Sequence, residues 1–328
     1  MLNGVAAIAT SVLLMSAAGV ASAQQGYPNR PITVVVAFAA GGPADTVTRA
    51  VAPAVQAALG QPVVVENRPG ANGKLAMQAM LRAPRDGYTF GYISPSIMSI
   101  APVVEKDLGY DTTKDIIPLT TAIRSSNVIT VHPSLNVKTL PDLVTWAKAN
   151  PGKLNYGSIG TGSWYHLATE KLLAGLGIEA THVPYKGEAP AVSDMIGGNI
   201  QMMILSGLGK PVIDEGKVVP LASTGKQIAF YSPKSIPVSE SGIPALANYD
   251  ETPWVGFGIG AGTPPDIVNK LHATLVAALN SEDVKKRLAV FGDTQTTSIA
   301  EMTQLVAEEL AANRTLVESG RVKLDATN

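Results

Sequence analysis

The segment from Ile32 to Phe38 is an unbroken run of mainly β-branched residues, and the segment after it, Ala44 to Leu59, spaces its apolar residues as a helix does. This pairing recurs, and it constrains the chain more than any other feature. Val63 to Glu66 is followed by a Pro/Gly/Asn turn over 67–73 and an apolar-periodic stretch from Lys74 to Leu81, and Tyr88 to Ile93 supplies a third strand. A strand that is apolar on both faces must be covered on both faces, as in a parallel sheet between helices. The alternation therefore predicts βαβ units. A second series begins with the strand-like Asn127 to His132. It continues through helix Leu140–Ala149, strand Leu154–Tyr156, helix Trp164–Leu176, strand Ala180–Val183, helix Pro190–Gly197, strand Ile200–Leu205, helix Lys210–Glu215 and strand Val218–Ala222. The pattern loosens over 233–250, which is rich in Pro, Ser and Gly. A strand at Trp254–Ile259 and helices at Ile267–Leu279 and Ile299–Leu316 then return the chain to the first unit. For 328 residues, at roughly 100–200 residues per domain, two α/β lobes are expected.

Composition excludes several function classes. With 46% hydrophobic and 16% charged residues, the chain is too apolar for disorder and too mixed for a membrane bundle. Lys and Arg number 25 against 26 Asp and Glu, so no global field would draw in nucleic acid, and no basic run interleaved with aromatics exists. Cysteine is absent, which removes disulfides, thiolate metal sites and a cysteine nucleophile. The four histidines, His132, His166, His182 and His272, lack metal-ligand spacing, so no metal or cofactor is expected. Val5 to Val20 is an apolar run ending at Ala21-Ser-Ala23, a small-x-small pattern. It reads as a signal peptide over 1–23, cleaved near Ala23/Gln24, although no basic residue precedes the run. No later segment reaches the roughly 18 apolar residues of a spanning helix, which predicts a soluble, exported chain.

Two loops carry the chemistry. Asn155-Tyr-Gly-Ser-Ile-Gly-Thr-Gly-Ser163 joins a strand end to a helix start. Glycines there let backbone N–H groups converge, and the hydroxyls of Ser158, Thr161 and Ser163 add donors near the positive end of a helix. The set suits an oxyanion; a tight turn with an N-cap serine is the plainer alternative. The glycine spacing matches neither the dinucleotide fingerprint nor the P-loop, and Gly157-Ser-Ile-Gly160 does not fit a nucleophile elbow. His166, on the following helix, reads as a lobe-surface or cleft-wall residue. The other loop, first in chain order, is Phe38-Ala-Ala-Gly-Gly-Pro-Ala-Asp45, and it places Pro43 and Asp45 in a first helical turn. Asp45 is either a cap or the group that orients a water or an exposed N–H. Loops at the carboxyl ends of two sheets form the crevice in which open α/β folds hold ligands.

The first loop with Asp45 and Arg49, the string Glu66-Asn-Arg-Pro-Gly-Ala-Asn-Gly73, Asp86-Gly-Tyr88, the loop 156–163 and His182-Val-Pro-Tyr-Lys-Gly187 with Pro190-Ala191 together resemble the Bug family, periplasmic solute-binding components of tripartite tricarboxylate transporters. The resemblance spans the mature chain. It implies a type II periplasmic-binding-protein-like fold, with lobe I over 24–125 and 254–328, lobe II over 126–253, and crossings near Arg124–Asn127 and Glu251–Val255. It also implies flytrap closure on a small aromatic or aliphatic carboxylate and delivery to the permease subunits of a transporter, by a monomer without catalytic residues. The binding set so implied is Phe38, Ala40, Gly41 and Asp45, with Ser94 and Ser96, then Ser158, Gly160, Thr161, Gly162, Ser163 and His166, and finally Ser206. Asp194 matches a family acidic position, with packing or capping as an equal reading. The apolar run Met202–Leu205 favours a ligand with a hydrophobic body unless it is simply a buried strand. Two other functions fit the residues: a ligand-sensing partner of a membrane kinase, or an exported hydrolase with a serine within reach of His166 or His182 and an orienting acid.

Overall fold

The computed structural model describes residues 26–292 and 294–318. The proposed signal peptide and its cleavage site lie outside the described residues. In chain order the elements are β1 (Ile32–Val36), α1 (Pro43–Leu59), β2 (Val63–Asn67), α2 (Lys74–Arg82), β3 (Thr89–Ile93), α3 (Ala101–Val104), β4 (Ile116–Arg124), β5 (Val128–Val131) and α4 (Leu140–Ala149). They continue with β6 (Asn155–Ser158), α5 (Trp164–Leu176), β7 (Thr181–Pro184), α6 (Glu188–Ile196), β8 (Met202–Leu205), α7 (Lys210–Asp214), β9 (Val219–Ser223), β10 (Trp254–Gly260), α8 (Pro265–Asn280), α9 (Glu282–Leu288) and α10 (Ile299–Glu318).

These strands form two five-stranded sheets, ordered β2-β1-β3-β10-β4 and β7-β6-β8-β5-β9. Neither is purely parallel as the alternation suggested: β10 runs antiparallel to β3 and β4, and β5 runs antiparallel to β8 and β9. A parallel crossover takes a dozen or more residues, and only residues 125–127 join β4 to β5. The chain therefore passes directly from one sheet into the other against the direction of its new neighbours. The return is β10, and Ser125 donates its N–H to the Pro253 carbonyl at 3.3 Å where the two links run side by side.

Strand β4 escaped the sequence reading because Pro118 and two threonines interrupt its apolar pattern. It stands at the end of its sheet, and its pairing with β10 skips Leu119 and Ala122. A bulged end strand is where proline is tolerated. The helices cover both faces of each sheet, so strand residues split between cores. Met202 and Ile204 face the core of Leu143, Tyr156 and Leu172, whereas Met203 and Leu205 face that of Met195 and Ile200. The run Met202–Leu205 is thus a strand buried on both faces, and it lends no apolar surface to a ligand. Among the described residues, no helix is long and apolar enough to cross a membrane.

Candidate functional site

The carboxyl ends of β1 and β3 and the amino end of α1 face the amino ends of α5 and α6 across a cavity of about 80 Å³. Its wall is largely apolar, with Phe38, Pro43, Val47, Tyr92, Ile159, Trp164, Trp254 and Phe291. Polar groups come from Ser94, Ser96, Ser125, Asn127, Tyr165, Glu188 and Ser206. A more open hollow of about 390 Å³ shares Phe38 and Ile159 with it and is bounded by Asn72, Gly160, Thr161, Tyr185 and Lys186. Two hydrogen bonds bridge the sheets' layers here. The Trp164 N–H donates to Ser96 Oγ at 2.9 Å, and Asn72 Nδ2 donates to the Gly162 carbonyl at 2.7 Å.

Three helices aim their amino ends at the inner cavity. The first-turn N–H groups of a helix have no partner within it, and the aligned peptide dipoles add a partial positive charge there. Gly42 and Gly187, which precede α1 and α6, offer no side-chain cap. Ser163 caps α5 by accepting the His166 N–H at 3.3 Å. The cavity therefore has donors and positive potential without a lysine or arginine on its wall. Ser94 Oγ is buried and meets no partner with hydrogen-bond geometry, although it lies near the Tyr92 phenol. Burial raises that phenol's pKa, and Ser94 offsets part of the rise.

The structure divides the residues singled out from sequence. Phe38, Ser94, Ser96 and Ser206 line the inner cavity, and Phe38, Gly160 and Thr161 line the outer hollow. Ala40, Gly41, Asp45, Ser158, Gly162, Ser163 and His166 line neither. Asp45 supports the first loop from behind, accepting the Gly41 N–H at 2.9 Å and the Arg49 Nε at 2.9 Å. Burial would raise its pKa, but hydrogen bonds from Arg49, Gly41 and Asn67 outweigh burial and hold it below the usual carboxylate value.

The second loop spends most of its donors on itself. Ser158 is fully buried. Its Oγ accepts the Gly160 N–H at 3.1 Å and stands 2.6 Å from His182 Nε2. The Gly162 N–H goes to His166 Nδ1 at 3.1 Å. Gly160 and Gly162 hold φ of 133° and 73°, which glycine alone adopts without strain. The expectation of a surface or cleft-wall His166 is corrected: it is 1% exposed, and its ring stacks on His182 at 3.9 Å. Burial, then the neighbouring His182, lowers its pKa to about 3, so it is neutral near pH 7. Ser158 and His182 are within the reach a hydrolase requires, but neither hollow is lined by Ser158. Asp194 accepts the Tyr185 hydroxyl at 2.7 Å and an Asn199 N–H at 3.3 Å, a packing role.

Sequence reasoning missed Glu188, Tyr165, Trp164 and Trp254. Glu188, first residue of α6, is 3% exposed. Its Oε1 accepts Ser206 N–H and Oγ at 3.1 and 2.9 Å, and its Oε2 accepts the Tyr165 hydroxyl at 3.2 Å. Burial pushes its pKa up to about 7, against these hydrogen bonds. The only signal was an acid at a helix start, which reads as an ordinary first-turn carboxylate. Among the described residues, no group of three or more His, Cys, Asp or Glu could hold a metal ion.

A model of the tripartite tricarboxylate transporter family receptor matches residues 47–321. Protein BugT of Bordetella pertussis is 30% identical over 306 residues, covering 91% of this chain and 92% of the relative. Rpa4515 of R. palustris, solved with adipate, is 32% identical with a TM-score of 0.85, covering 90% of this chain and 99% of that one. MatC from Rhodopseudomonas palustris, solved with bound malate, is 28% identical with a TM-score of 0.81, covering 89% of this chain and 100% of that one.

Proposed function

Because this chain belongs to the tripartite tricarboxylate transporter receptor family, a class of periplasmic solute-binding proteins, we propose that it captures a small organic carboxylate between its two lobes and delivers it to a membrane permease. The observation that carries this reading is the inner cavity: donors from three helix amino ends between largely apolar walls, with no cationic side chain among the described residues that line it. Charge-assisted hydrogen bonds are worth about 1.5–3 kcal/mol each, so three or four neutral donors suffice for a carboxylate without arginine. Adipate in Rpa4515 and malate in MatC favour the same ligand class here.

The lobes we assign are 24–125 with 254–328, and 126–253, and they would close by bending at the paired links. Ser96 with Trp164, and Asn72 with Gly162, then act as latches of the closed form. The ligand set we propose keeps Phe38, Ser94, Ser96 and Ser206 at the cavity and Gly160 and Thr161 at the outer hollow. Ala40, Gly41, Asp45, Ser158, Gly162, Ser163 and His166 shape the two loops behind them. No turnover is expected of the Ser158–His182 pair, because a substrate reaching either hollow would not meet Ser158.

A thermal-shift panel of mono-, di- and tricarboxylates, aromatic acids and amino acids tests the reading. Ligand at 100 times its Kd adds about 2.7 kcal/mol, which is several degrees for a chain of this size. A shift confined to carboxylates supports the reading; no shift with any acid, in protein shown to be folded and ligand-free, contradicts it.

A further inference from the structure

The inner cavity contains an acid, Glu188, whose charge meets the partial positive end of α6 but no cationic side chain. Glu188 is nearly inaccessible to bulk solvent, yet it stands on the cavity wall. Among the described residues, no lysine, arginine or histidine shares that wall, and none of the ion pairs reaches Glu188. A carboxylate offers about four lone-pair directions. The two bonds from Ser206 and the one from Tyr165 leave one direction on Oε2 unused. Burying a carboxylate without a countercharge is costly. If holding Ser206 and Tyr165 were the whole role of the side chain, an uncharged amide could hold the same partners at lower cost, accepting from Ser206 and donating to Tyr165.

The charge is accounted for if the ligand brings its partner. We propose that Glu188 is an amine subsite: it accepts a hydrogen bond from a primary ammonium of the ligand, whose carboxylate lies toward the amino ends of α1 and α5. The cavity then selects small zwitterionic amino acids over dicarboxylates. This rests on the carboxylate reading above and narrows it. A dicarboxylate would set its second anion beside Glu188, and two carboxylates sharing a site cannot both ionise without strong repulsion. A hydroxy acid could satisfy the free lone pair but would bring no positive charge to it. The cavity volume of about 80 Å³ holds the ligand to a small size. The unpartnered Ser94 Oγ on the same wall is a second polar group that a ligand would satisfy.

The test is isothermal titration of the ligand-free protein at pH 8. Small amino acids are each compared with the acid lacking the amine and with the dicarboxylate carrying a second carboxyl in its place: alanine with propionate and methylmalonate, β-alanine with propionate and succinate, γ-aminobutyrate with butyrate and glutarate. Losing one charge-assisted contact corresponds to about tenfold or more in Kd. At least one amino acid should bind about tenfold or more tighter than both of its counterparts, and Glu188→Gln should erase that preference. The wild-type comparison stands even if the variant does not fold. Tighter binding of dicarboxylates than of amino acids, or a preference unchanged in Glu188→Gln, overturns the amine subsite while leaving the carboxylate receptor in place. Failure of every acid to bind overturns both.

Discussion

Replacing Glu188 by glutamine keeps the side chain's shape and removes its charge, so it isolates what that charge costs the empty protein. The glutamine carbonyl can accept both Ser206 donors, and the Tyr165 hydroxyl can rotate to accept from the new amide. In the folded protein the carboxyl titrates at about 7 rather than 4.5, because burial penalises the ionised form. At about 1.4 kcal/mol per pH unit, the ionised carboxylate costs about 3 kcal/mol of stability. The folded-state pKa is raised, so this cost is absent below about pH 4.5, grows as pH rises toward 7, and is constant above it. Glu309, raised by burial to about 6, and Glu251, also raised by burial, act in the same sense but are common to both proteins. Urea unfolding of ligand-free wild type and Glu188→Gln should therefore give stabilities within about 1 kcal/mol at pH 5, with the variant about 3 kcal/mol more stable at pH 8. Equal stabilities at both pH values, or a variant less stable at pH 8, would refute the picture of an ionised, uncompensated carboxylate.

Three further outcomes follow from the geometry. Ser96→Ala and Asn72→Ala each remove one bond between the layers, worth about 0.5–1.5 kcal/mol, so each should weaken carboxylate binding by about 2–13-fold in titration calorimetry; unchanged Kd in both would show that the bonds do not latch the closed form. Gly207→Ala builds a Cβ 1.7 Å from the Val290 carbonyl oxygen, a contact between segments that the proposed division places in different lobes. It should prop the cleft open and weaken ligand binding by about tenfold or more, seen as a larger radius of gyration in small-angle scattering with ligand present; normal closure would contradict it. Ser158→Ala should leave esterase background at the level of wild type, both indistinguishable from buffer with p-nitrophenyl acetate, and any turnover lost in the variant would revive the hydrolase reading.

The architecture was legible because the strands are buried on both faces and so appear as apolar runs, and because helices such as α4 and α5 carry clear starts. Thr139 forms a capping box with Asp142, and Ser163 caps α5. What escaped was what distant segments decide. Pro118 in β4 is acceptable only beside a bulge in an end strand, and nothing local says so. The loop 155–163 was visible as a donor-rich turn. Where each donor goes was not visible, because that depends on His182 and His166, which the fold stacks beside the loop. Glu188 was invisible as a site residue because its meaning comes from Tyr165 and Ser206, 23 and 18 residues away along the chain.

The most direct test of the central claim is a crystal structure of the protein with the acid that gives the largest thermal shift. Ligand density should fill the cavity between Ser94, Trp164 and Glu188, with a carboxylate against the backbone at the start of α1 or α5. Density only on the outer surface, or a carboxylate bound away from these helix ends, would contradict it.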